Sequence, residues 1–581
     1  MRVQITKARG HEYAAIVQAY RDQDGRPRNR TVENLGRVDR LDAADPGWRA
    51  AAEDRAAEAT AERQEARGVI AYDTAAPSAR LPALNAGHLL AGAVWERLGL
   101  DAWLKRLRRE RGRGPDVEHV ARTLVAARII WPGSKKAACE KAPLMALTKP
   151  FALKDAYRAL DHLAEVSALA QARCARLLDE GRGGPPEAVY YDVTNYFFAI
   201  DRGDDGAGGK DTPRGEATRQ KGCSKEHRVS PIIQMGLFMD SRGMPLRYRL
   251  FDGNVPDTST LGAALGDFRA STGTGKVVVV ADKAMNTARN TAMLDEAGDG
   301  WVFSASARQL DRQARAWMLD DDGWEWLDAD QTVRAKSRIV ERVCKWQEPD
   351  GTRRRRIVTE KVIARWSRDY ADRDAHTRAD LLAKAAALVA DPPQYKAVTA
   401  KGARKYVEEV TIDPATGEAA EPVQVLLLDA ARAEADAELD GYWLVHTSLT
   451  GTPDREVLDK YKELWRIEDT FKVTKTDLRA RPVFVWTPAH IEAHFLVCFL
   501  ALLTERLIES WTHLPSGRVC EALKGLSVKP AGPGVFLLDR PEVWDRIDAA
   551  LGVSSDHEWR TVQQLRAWRR DLVTAVACLA T

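Results

Sequence analysis

Long apolar segments are scarce in this sequence. The longest uninterrupted apolar run, Phe495–Leu503, is far shorter than the roughly 20 residues that cross a bilayer. The N-terminus MRVQITKARG also lacks the apolar stretch of a signal peptide. We therefore expect a soluble cytoplasmic protein without a membrane partner.

Motifs for several kinds of site are missing. The seven cysteines lie far apart, without a CxxC pair or a cluster of Cys and His, which argues against a disulfide framework and a structural zinc site. No P-loop motif and no Ser/His/Asp arrangement stands out. ATP-driven and acyl-transfer mechanisms therefore have no support in the sequence.

A large excess of basic charge is absent as well. The chain has 87 Lys plus Arg against 84 Asp plus Glu, so any affinity for nucleic acid depends on local patches. Basic residues crowd the stretch from Lys105 to Arg113 and fill Arg353–Arg356. Runs of this kind are more often solvated faces than binding sites, so DNA contact remains one of two interpretations.

The 581 residues are enough for several domains, at roughly 100 to 200 residues per domain. Changes in apolar spacing divide the chain into a small β unit with a helical linker (1–80), a helical region (81–182), the first part of an α/β core (183–308), a β-rich insertion (309–440), the second part of the core (441–510) and a C-terminal helical region (511–581). The helical region carries the first basic patch and is a candidate DNA-binding domain; a scaffold bundle is an equal alternative.

The core segments have the pattern of an α/β fold with a mixed sheet. Three strands that can pair antiparallel are predicted at residues 188–199, 231–240 and 245–251. A helix capped within residues 257–259, a buried strand, a second helix and another strand follow. After the insertion, one more strand leads into a long helix from about Asp454 to Leu478. This order of elements is that of a ribonuclease-H-like fold.

Three carboxylates occupy positions where apolar residues are expected. Asp192 lies inside an apolar strand, Asp282 follows four valines and an alanine, and Glu468 shares a helical stripe with apolar neighbours, which predicts that it points inward. An isolated ionised carboxylate in apolar surroundings is costly unless a cation, a hydrogen-bond network or a metal compensates it. A single such acid is more often a turn residue, a cap or half of an ion pair, but three together favour a common partner.

A pair of Mg²⁺ ions fits that requirement. Hard cations prefer carboxylate oxygens and keep positions open for water and phosphate. Two of them can activate a nucleophile and stabilise a leaving oxygen. The acids therefore predict a site that cuts or joins phosphodiesters, where Mn²⁺ can substitute for Mg²⁺.

Several separated motifs resemble those of the bacterial insertion-sequence DDE transposases. In chain order they are YYDVTNYFF, GCSKEHR, PIIQMGLFMDSRGMPLRYRLFDGNVPDTSTL, VVVVADKAMN and YKELWRIEDTFKVTKTDLRARPVFVWTPAHIEAHFLVCFLALL. The most similar group is the one named for insertion sequence four, in its branch with a long β-rich insertion. The resemblance covers roughly residues 185–310 and 440–505, and it implies cut-and-paste DNA transposition by strand cleavage and transfer at terminal inverted repeats.

The resemblance also assigns roles to residues. Asp192, Asp282 and Glu468 match the DDE triad that holds two metal ions. Tyr461 and Lys475 match the signature of the last helix and would contact DNA phosphates at the transposon end.

Other residues are also expected to contact DNA, although one differs from the family signature and others have a structural alternative. The usual Arg of the signature is replaced by Leu464, and Arg466 is the nearest candidate for its contact. Arg479 and Arg481 would help to hold the DNA backbone. The GCSKEHR motif, with Lys225 and Arg228, would brace the site or the DNA; a structural hairpin network is an equal alternative.

The implied partners are double-stranded DNA, both terminal repeats and target, and a second copy of the chain in a homodimer assembled on DNA. The substrate also implies association with the nucleoid. Two rival interpretations remain: a catalytically silent DNA-binding protein derived from a transposase, and a nuclease that does not integrate.

Two further patterns concern aromatic and histidine residues. Relatives form a DNA hairpin with a flipped base, which Trp317, Trp324 or Trp326 could stack upon, although tryptophan is more often a core residue. His490 and His494 have a spacing that can bind zinc, but we interpret them as helix-face residues near the core.

Overall fold

The structure of the protein is a computed structural model, which describes all residues except 9, 22–25, 66–80, 112–113, 200–218, 223–224, 226–228, 349, 392–400, 413–422, 533, 556–558 and 580–581. The chain divides into two units, one formed by residues 1–82 and 529–537 and the other by residues 83–528 and 538–581. The predicted domain boundaries are finer than this division.

The N-terminal unit is a small antiparallel sheet with two helices. The elements are β1 (Arg2–Ala8), β2 (His11–Arg21), β3 (Pro27–Arg37), α1 (Val38–Ala44) and α2 (Trp48–Glu65). Its core is formed by Ala14, Val38, Trp48 and Ala52. The sequence predicted this combination of short strands and a following helix.

A set of helices opens the second unit. After β4 (Leu84–Asn85) come α3 (His88–Arg97), α4 (Leu100–Arg111), α5 (Val117–Ile130), α6 (Lys135–Lys141) and α7 (Leu153–Arg182). Asp116 and Ser134 cap α5 and α6, because each side chain accepts a hydrogen bond from a backbone N–H of the first turn. Gly183 ends α7 in the left-handed conformation, with φ of 80°.

A mixed sheet forms the centre of the second unit. Its first five strands along the chain are β5 (Ala188–Phe197), β6 (Ile232–Met239), β7 (Pro245–Asp252), β8 (Val278–Ala281) and β9 (Gly300–Ser306). Their order across the sheet is β7-β6-β5-β8-β9, with β6 antiparallel to β5 and β7, and with β8 parallel to β5 and β9. The antiparallel pairing of the first three strands agrees with the prediction, and the predicted α/β fold class with a mixed sheet is confirmed.

The insertion extends the same sheet. Its elements are α10 (Arg312–Leu319), β10 (Glu325–Trp326), β11 (Val333–Gln347), β12 (Arg353–Ser367), α11 (Arg368–Ala390), α12 (Lys401–Arg404), β13 (Val407–Ile412), β14 (Val423–Leu428) and α13 (Ala430–Ala437), which follow α8 (Leu261–Thr272) and α9 (Ala288–Ala297) of the core. Strands β11 and β12 form a long hairpin, and β12 pairs with β15 (Tyr442–Thr447), which pairs with β9. Helix α11 begins directly after the last residue of β12.

The last helices of the core pack against the sheet and against the helical region. They are α14 (Asp454–Lys462), α15 (Trp465–Thr476) and α16 (Pro488–Thr512). Within the described part of the chain, no helix is long and apolar enough to cross a membrane. The most apolar of these three, α16, is instead buried inside the protein.

The C-terminal region combines helices with short strands. It contains α17 (Ser516–Gly525), β16 (Ser527–Gly532), β17 (Val535–Asp539), α18 (Trp544–Leu551), β18 (Trp559–Thr561) and α19 (Val562–Cys578). The sequence predicted a helical region here and did not predict the short strands, where Pro and Gly residues around position 530 interrupt the helical pattern.

Candidate active site

Asp192 and Asp282 lie on neighbouring strands at the same level of the sheet. Strands β5 and β8 are parallel, and Tyr191 pairs with Ala281. Each aspartate is the next residue along its strand, and neighbouring strands are about 4.8 Å apart. The Asp282 carboxylate accepts a hydrogen bond of 2.9 Å from the backbone N–H of Ala284, which holds it at the start of a 3-10 turn. The register thus brings together two of the three predicted acids.

The surroundings of Asp192 disfavour its charged form. Burial raises the pKa of Asp192 to about 7, and the negative charge of Asp282 adds to this increase. The positive charge of Lys225 acts in the opposite direction. Lys225 Nζ donates a hydrogen bond to the carbonyl oxygen of Val193, the residue after Asp192.

Glu468 lies on α15 and is exposed to solvent. The prediction that it points into the core was wrong. That prediction assumed one straight helix from Asp454 to Leu478, whereas the structure has a break between Lys462 and Trp465. Leu464 is the residue before α15, and the buried side of the helix is formed by residues such as Ile467 and Phe471.

Tyr461, at the end of α14, lies within electrostatic range of both Glu468 and Asp282. Burial raises the pKa of the Tyr461 hydroxyl to about 12, a hydrogen bond with the Ser304 side chain opposes the increase, and the charges of Asp282 and Glu468 both contribute to it. The tyrosine ring also packs on Trp443, with ring centroids 5.1 Å apart. Tyr461 is therefore close to both acids.

Lys475 connects α15 with the strand of Asp192. It lies seven residues after Glu468, on the same face of the helix, and its Nζ donates a hydrogen bond of 2.6 Å to Thr194 Oγ1. Thr194 is two residues after Asp192 and shares its face of the strand. Burial lowers the pKa of Lys475 to about 8; the charge of Lys225 adds to the decrease, and that of Asp192 opposes it.

The described carboxylates do not form a closed cage. Among the residues that the structure describes, no group of three His, Cys, Asp or Glu side chains is arranged to hold a single metal ion. Asp192 and Asp282 act on each other electrostatically, and Glu468, which is exposed on α15, acts on Tyr461.

Two family models match the chain. Residues 1–73 match the N-terminal domain of the IS1634 family transposases, and residues 197–504, more than half of the chain, match the transposase DDE domain. The chain belongs to the DDE transposases. The DDE match includes Asp282 and Glu468 and begins shortly after Asp192, and the protein is therefore an enzyme of DNA transposition.

The other comparisons add little to the identification of the transposase. No curated protein matches the chain. A solved structure described as a piggyBac transposase synaptic complex with hairpin DNA is similar over 85% of this chain and 80% of its own, with 7% sequence identity and a TM-score of 0.32. At this level of similarity, no conclusion about the site follows from it.

The basic residues predicted to contact DNA lie in different places on the transposase. Arg466 forms an ion pair with Glu463, and its guanidinium lies over the Trp465 ring, 5.0 Å from the centroid. It is an electrostatic neighbour of Tyr190, two residues before Asp192. The replacement of the missing signature arginine by Arg466 stays a prediction.

Arg479 and Arg481 follow α15 in the turn that leads to α16. Arg479 is exposed, with φ of 45°, and its carbonyl oxygen accepts a hydrogen bond of 3.2 Å from Arg128. The Arg481 guanidinium lies 5.7 Å from the centroid of the Phe197 ring at the end of β5. Arg228 lies outside the described residues; within its motif, Gly222 and Lys225 are described.

A fourth carboxylate, Asp257, was not predicted as a site residue. It lies 3.4 Å from Lys225 Nζ, and its charge helps to raise the pKa of Asp192. The sequence suggested a helix cap at residues 257–259. Asp257 instead begins a separate 3-10 turn, and α8 starts at Leu261 without a side-chain cap. The sequence signal that could have identified Asp257 as a site residue was its place in an Asp-Thr-Ser turn after β7.

The two histidines of α16 have separate partners, which agrees with their interpretation as helix-face residues. His494 is buried; its Nδ1 accepts a hydrogen bond of 2.8 Å from Lys135, and its Nε2 donates one of 3.0 Å to the carbonyl oxygen of Ala480. His490 Nε2 lies 3.0 Å from Asp161. Both ring nitrogens of His494 are thus occupied within the protein.

The three tryptophans considered for base stacking differ in exposure. Trp317 and Trp324 pack against the apolar cluster around Met318 and Leu444. Trp326 is 44% exposed, and the Arg334 guanidinium lies 5.8 Å from its ring centroid. Of the three, Trp326 has the largest accessible ring surface.

Proposed function

We propose that this transposase cleaves and joins phosphodiesters at the terminal inverted repeats of its insertion sequence, with Asp192, Asp282 and Glu468 as the catalytic acids. The observation that carries the proposal is the parallel register of β5 and β8, which supports a shared site for the first two acids. The position of Tyr461 close to both Asp282 and Glu468 supports the inclusion of the third.

The donor set fits divalent metal ions. The carboxylate of Asp192 is disfavoured by burial and by two neighbouring acids, and its nearby cation, Lys225, is also paired with Asp257. Mg²⁺ takes one or two carboxylates together with water and phosphate oxygens, so it does not require a cage of three acids. When bound by Asp192, Asp282 and Glu468, two such ions would supply activation of the attacking oxygen and stabilisation of the leaving one. Mn²⁺ would serve in place of Mg²⁺.

Basic and phenolic side chains around the acids would hold the DNA backbone. Lys475 and Tyr461 flank the acids on two sides and carry groups that bind phosphate oxygens. Arg479 and Arg481 continue this basic region beyond α15. The main role of Lys225 would be to brace Asp192 through its hydrogen bond to Val193, and direct contact with DNA would be secondary. For Arg228 the proposal rests on the sequence alone.

The proposal extends to assembly and classification. The transposase would act as a homodimer on DNA in the nucleoid, each copy holding one transposon end. The helical region 81–182 would serve as a DNA-binding domain. The remaining domains would have the boundaries predicted from the sequence. Within the family, the chain would belong to the insertion-sequence-four group. Trp326 would be the residue that stacks on a flipped base, if cleavage passes through a hairpin.

A cleavage assay tests the proposed function against its rivals. Purified transposase is incubated with duplexes that carry the element's own terminal repeats, with Mg²⁺, with Mn²⁺ or with a chelator. We expect metal-dependent cutting at the repeat ends and, with a target plasmid, strand-transfer products. Binding without cutting would favour a silent DNA-binding protein, and cutting without strand transfer would favour a nuclease.

A further inference from the structure

A polar network joins the β11–β12 hairpin of the insertion to the turn that follows Asp282. Arg342 on β11 donates a hydrogen bond of 2.7 Å from Nη1 to Asn286 Oδ1. Asn286 is four residues after Asp282 and ends the 3-10 turn that begins there. Within the turn, the backbone N–H of Met285 donates to the carbonyl oxygen of Asp282 at 3.1 Å. A side chain of the insertion is therefore bonded to the turn that fixes the Asp282 backbone.

Asn286 also bonds to the neighbouring strand. Its Nδ2 donates a hydrogen bond of 3.2 Å to the carbonyl oxygen of Ser304 on β9. The side chain of Ser304 in turn bonds to Tyr461, the residue that is close to Asp282 and Glu468. The amide of Asn286 thus uses both of its polar ends, one on the insertion and one on the strand beside the acids.

The other end of the network is buried. Glu360 on β12 is 1% exposed, and one of its carboxylate oxygens lies 3.6 Å from Arg342 Nη1. The other oxygen lies 2.7 Å from His446 Nδ1, on β15. A buried carboxylate that loses its cation is strongly destabilised, so Glu360 keeps the Arg342 guanidinium in place. The arginine is consequently held in one orientation, toward Asn286.

We propose that Arg342 is a positioning residue for Asp282, so that the insertion hairpin is a structural part of the catalytic site. Partners that orient a metal ligand from behind typically change metal affinity or activity by about 10- to 100-fold when removed. The inference rests on the proposed role of Asp282. It adds a residue that contacts neither substrate nor metal and acts through Asn286.

The chain offers a matched control on the same hairpin. Arg356 on β12 forms an ion pair of 2.5 Å with Asp295, near the end of α9. This contact joins the hairpin to α9, and Asp295 does not belong to the turn that follows Asp282. Loss of Arg356 would weaken the packing of the hairpin without releasing the turn at Asn286.

The test compares Arg342→Met, Arg342→Lys, Asn286→Ala and Arg356→Met in the full chain. With Arg342→Met we expect faster amide hydrogen exchange in a peptide covering residues 282–287, and a Mg²⁺ requirement for end cleavage raised by about tenfold or more. Binding to the terminal repeat in the absence of metal should not change. Arg342→Lys should show a smaller defect than Arg342→Met, because lysine can still donate a hydrogen bond but lacks the planar guanidinium.

Several outcomes separate this inference from its alternatives. Asn286→Ala should reproduce the effect, and the double variant with Arg342→Met should be no worse than either single variant, since the two act as one unit. Equal exchange and equal Mg²⁺ dependence for Arg342→Met and Arg356→Met would overturn the inference. If the unmodified transposase cuts no DNA, the proposed function fails, and the exchange measurement still decides whether Arg342 holds the turn.

Discussion

Lys475 bonds α15 to the strand of Asp192. Its Nζ is bonded to Thr194 and is close to both Asp192 and Lys225. A lysine that is partly desolvated among these groups gains from a phosphate in the same space. Its contact is therefore expected to matter for holding the transposon end.

Substituting Lys475 should weaken end binding in a salt-dependent manner. For Lys475→Met we expect lower affinity for the terminal repeat, with the slope of log affinity against log salt reduced by about one. The same substitution at Lys524, which is exposed in the last turn of α17, serves as the control. An unchanged slope for Lys475→Met would show that this lysine is not in contact with a phosphate.

A second prediction at this scale concerns Glu505, which is completely buried in α16. Burial raises the pKa of Glu505 to about 8, and the side chains of Cys520 and Ser516 donate hydrogen bonds that partly oppose the increase. Because the folded-state pKa lies above the unfolded value of 4.5, the folded state binds the extra proton between these two pH values. Its stabilising contribution is complete below about pH 4.5 and is lost as the pH rises to about 8.

Glu505→Gln should remove this pH dependence. The difference in unfolding free energy between the parent and Glu505→Gln is expected to change by up to about 1.4 kcal/mol per pH unit between the two pKa values. Thermal unfolding midpoints of both proteins from pH 5 to 9 provide the measurement. Parallel curves over this range would contradict the assignment.

Single residues also show what the sequence could and could not predict. Asp192 and Asp282 stood out because they interrupt apolar strands, and the register of those strands then follows from the α/β order. The exposure of Glu468 was predicted wrongly, because the break at Leu464 changes which face of α15 is buried. Arg342 gave no local signal, since its partner Asn286 is 56 residues away along the chain.

At the scale of elements, buried groups on α5, α6 and α16 hold the turn after α15. His494 and Arg128 donate hydrogen bonds to the carbonyl oxygens of residues 478–480, and Lys135 donates to His494. Burial lowers the pKa of Lys135 to about 7. The end of the helix that carries Glu468 and Lys475 is thus fixed by the helical region.

Removing His494 should destabilise the protein without involving zinc. His494→Ala leaves the Ala480 carbonyl and the Lys135 amine without this partner, which costs on the order of 1–3 kcal/mol for each unsatisfied buried group. We expect a lower unfolding temperature for His494→Ala, a much smaller change for His490→Ala, and no stabilisation of the parent protein by added Zn²⁺. If Zn²⁺ raised the unfolding temperature of the parent protein and both substitutions abolished this increase, the result would support a zinc site at these histidines.

Strands were easier to predict than helix ends in this protein. The long hairpin β11–β12 shows alternating and β-branched residues, the pattern by which the sequence predicts a β-rich insertion. The start of α11 and the break between α14 and α15 depend on which surfaces the helices pack against. Such tertiary contacts leave no periodic signal in the sequence.

At the scale of the whole molecule, the hairpin β11–β12 and the core strands form one continuous sheet. Strand β12 pairs with β15, β15 pairs with β9, and β9 pairs with β8, which ends directly before Asp282. The long interruption between Asp282 and Glu468 is therefore compatible with a single catalytic unit. The proximity of Asp192, Asp282 and Tyr461 is a property of this sheet and of the helices that follow it.

The most direct measurement of the central claim is the separate substitution of the three acids. Asp192→Asn, Asp282→Asn and Glu468→Gln are each assayed for terminal-repeat binding and for Mg²⁺-dependent cutting, with Asp267→Asn, a carboxylate on α8 paired with Arg249, as the control. We predict that each of the three loses cutting by about 100-fold or more while binding is retained, because they would hold metal and not the DNA backbone. Normal cutting by any one of the three variants would contradict the account.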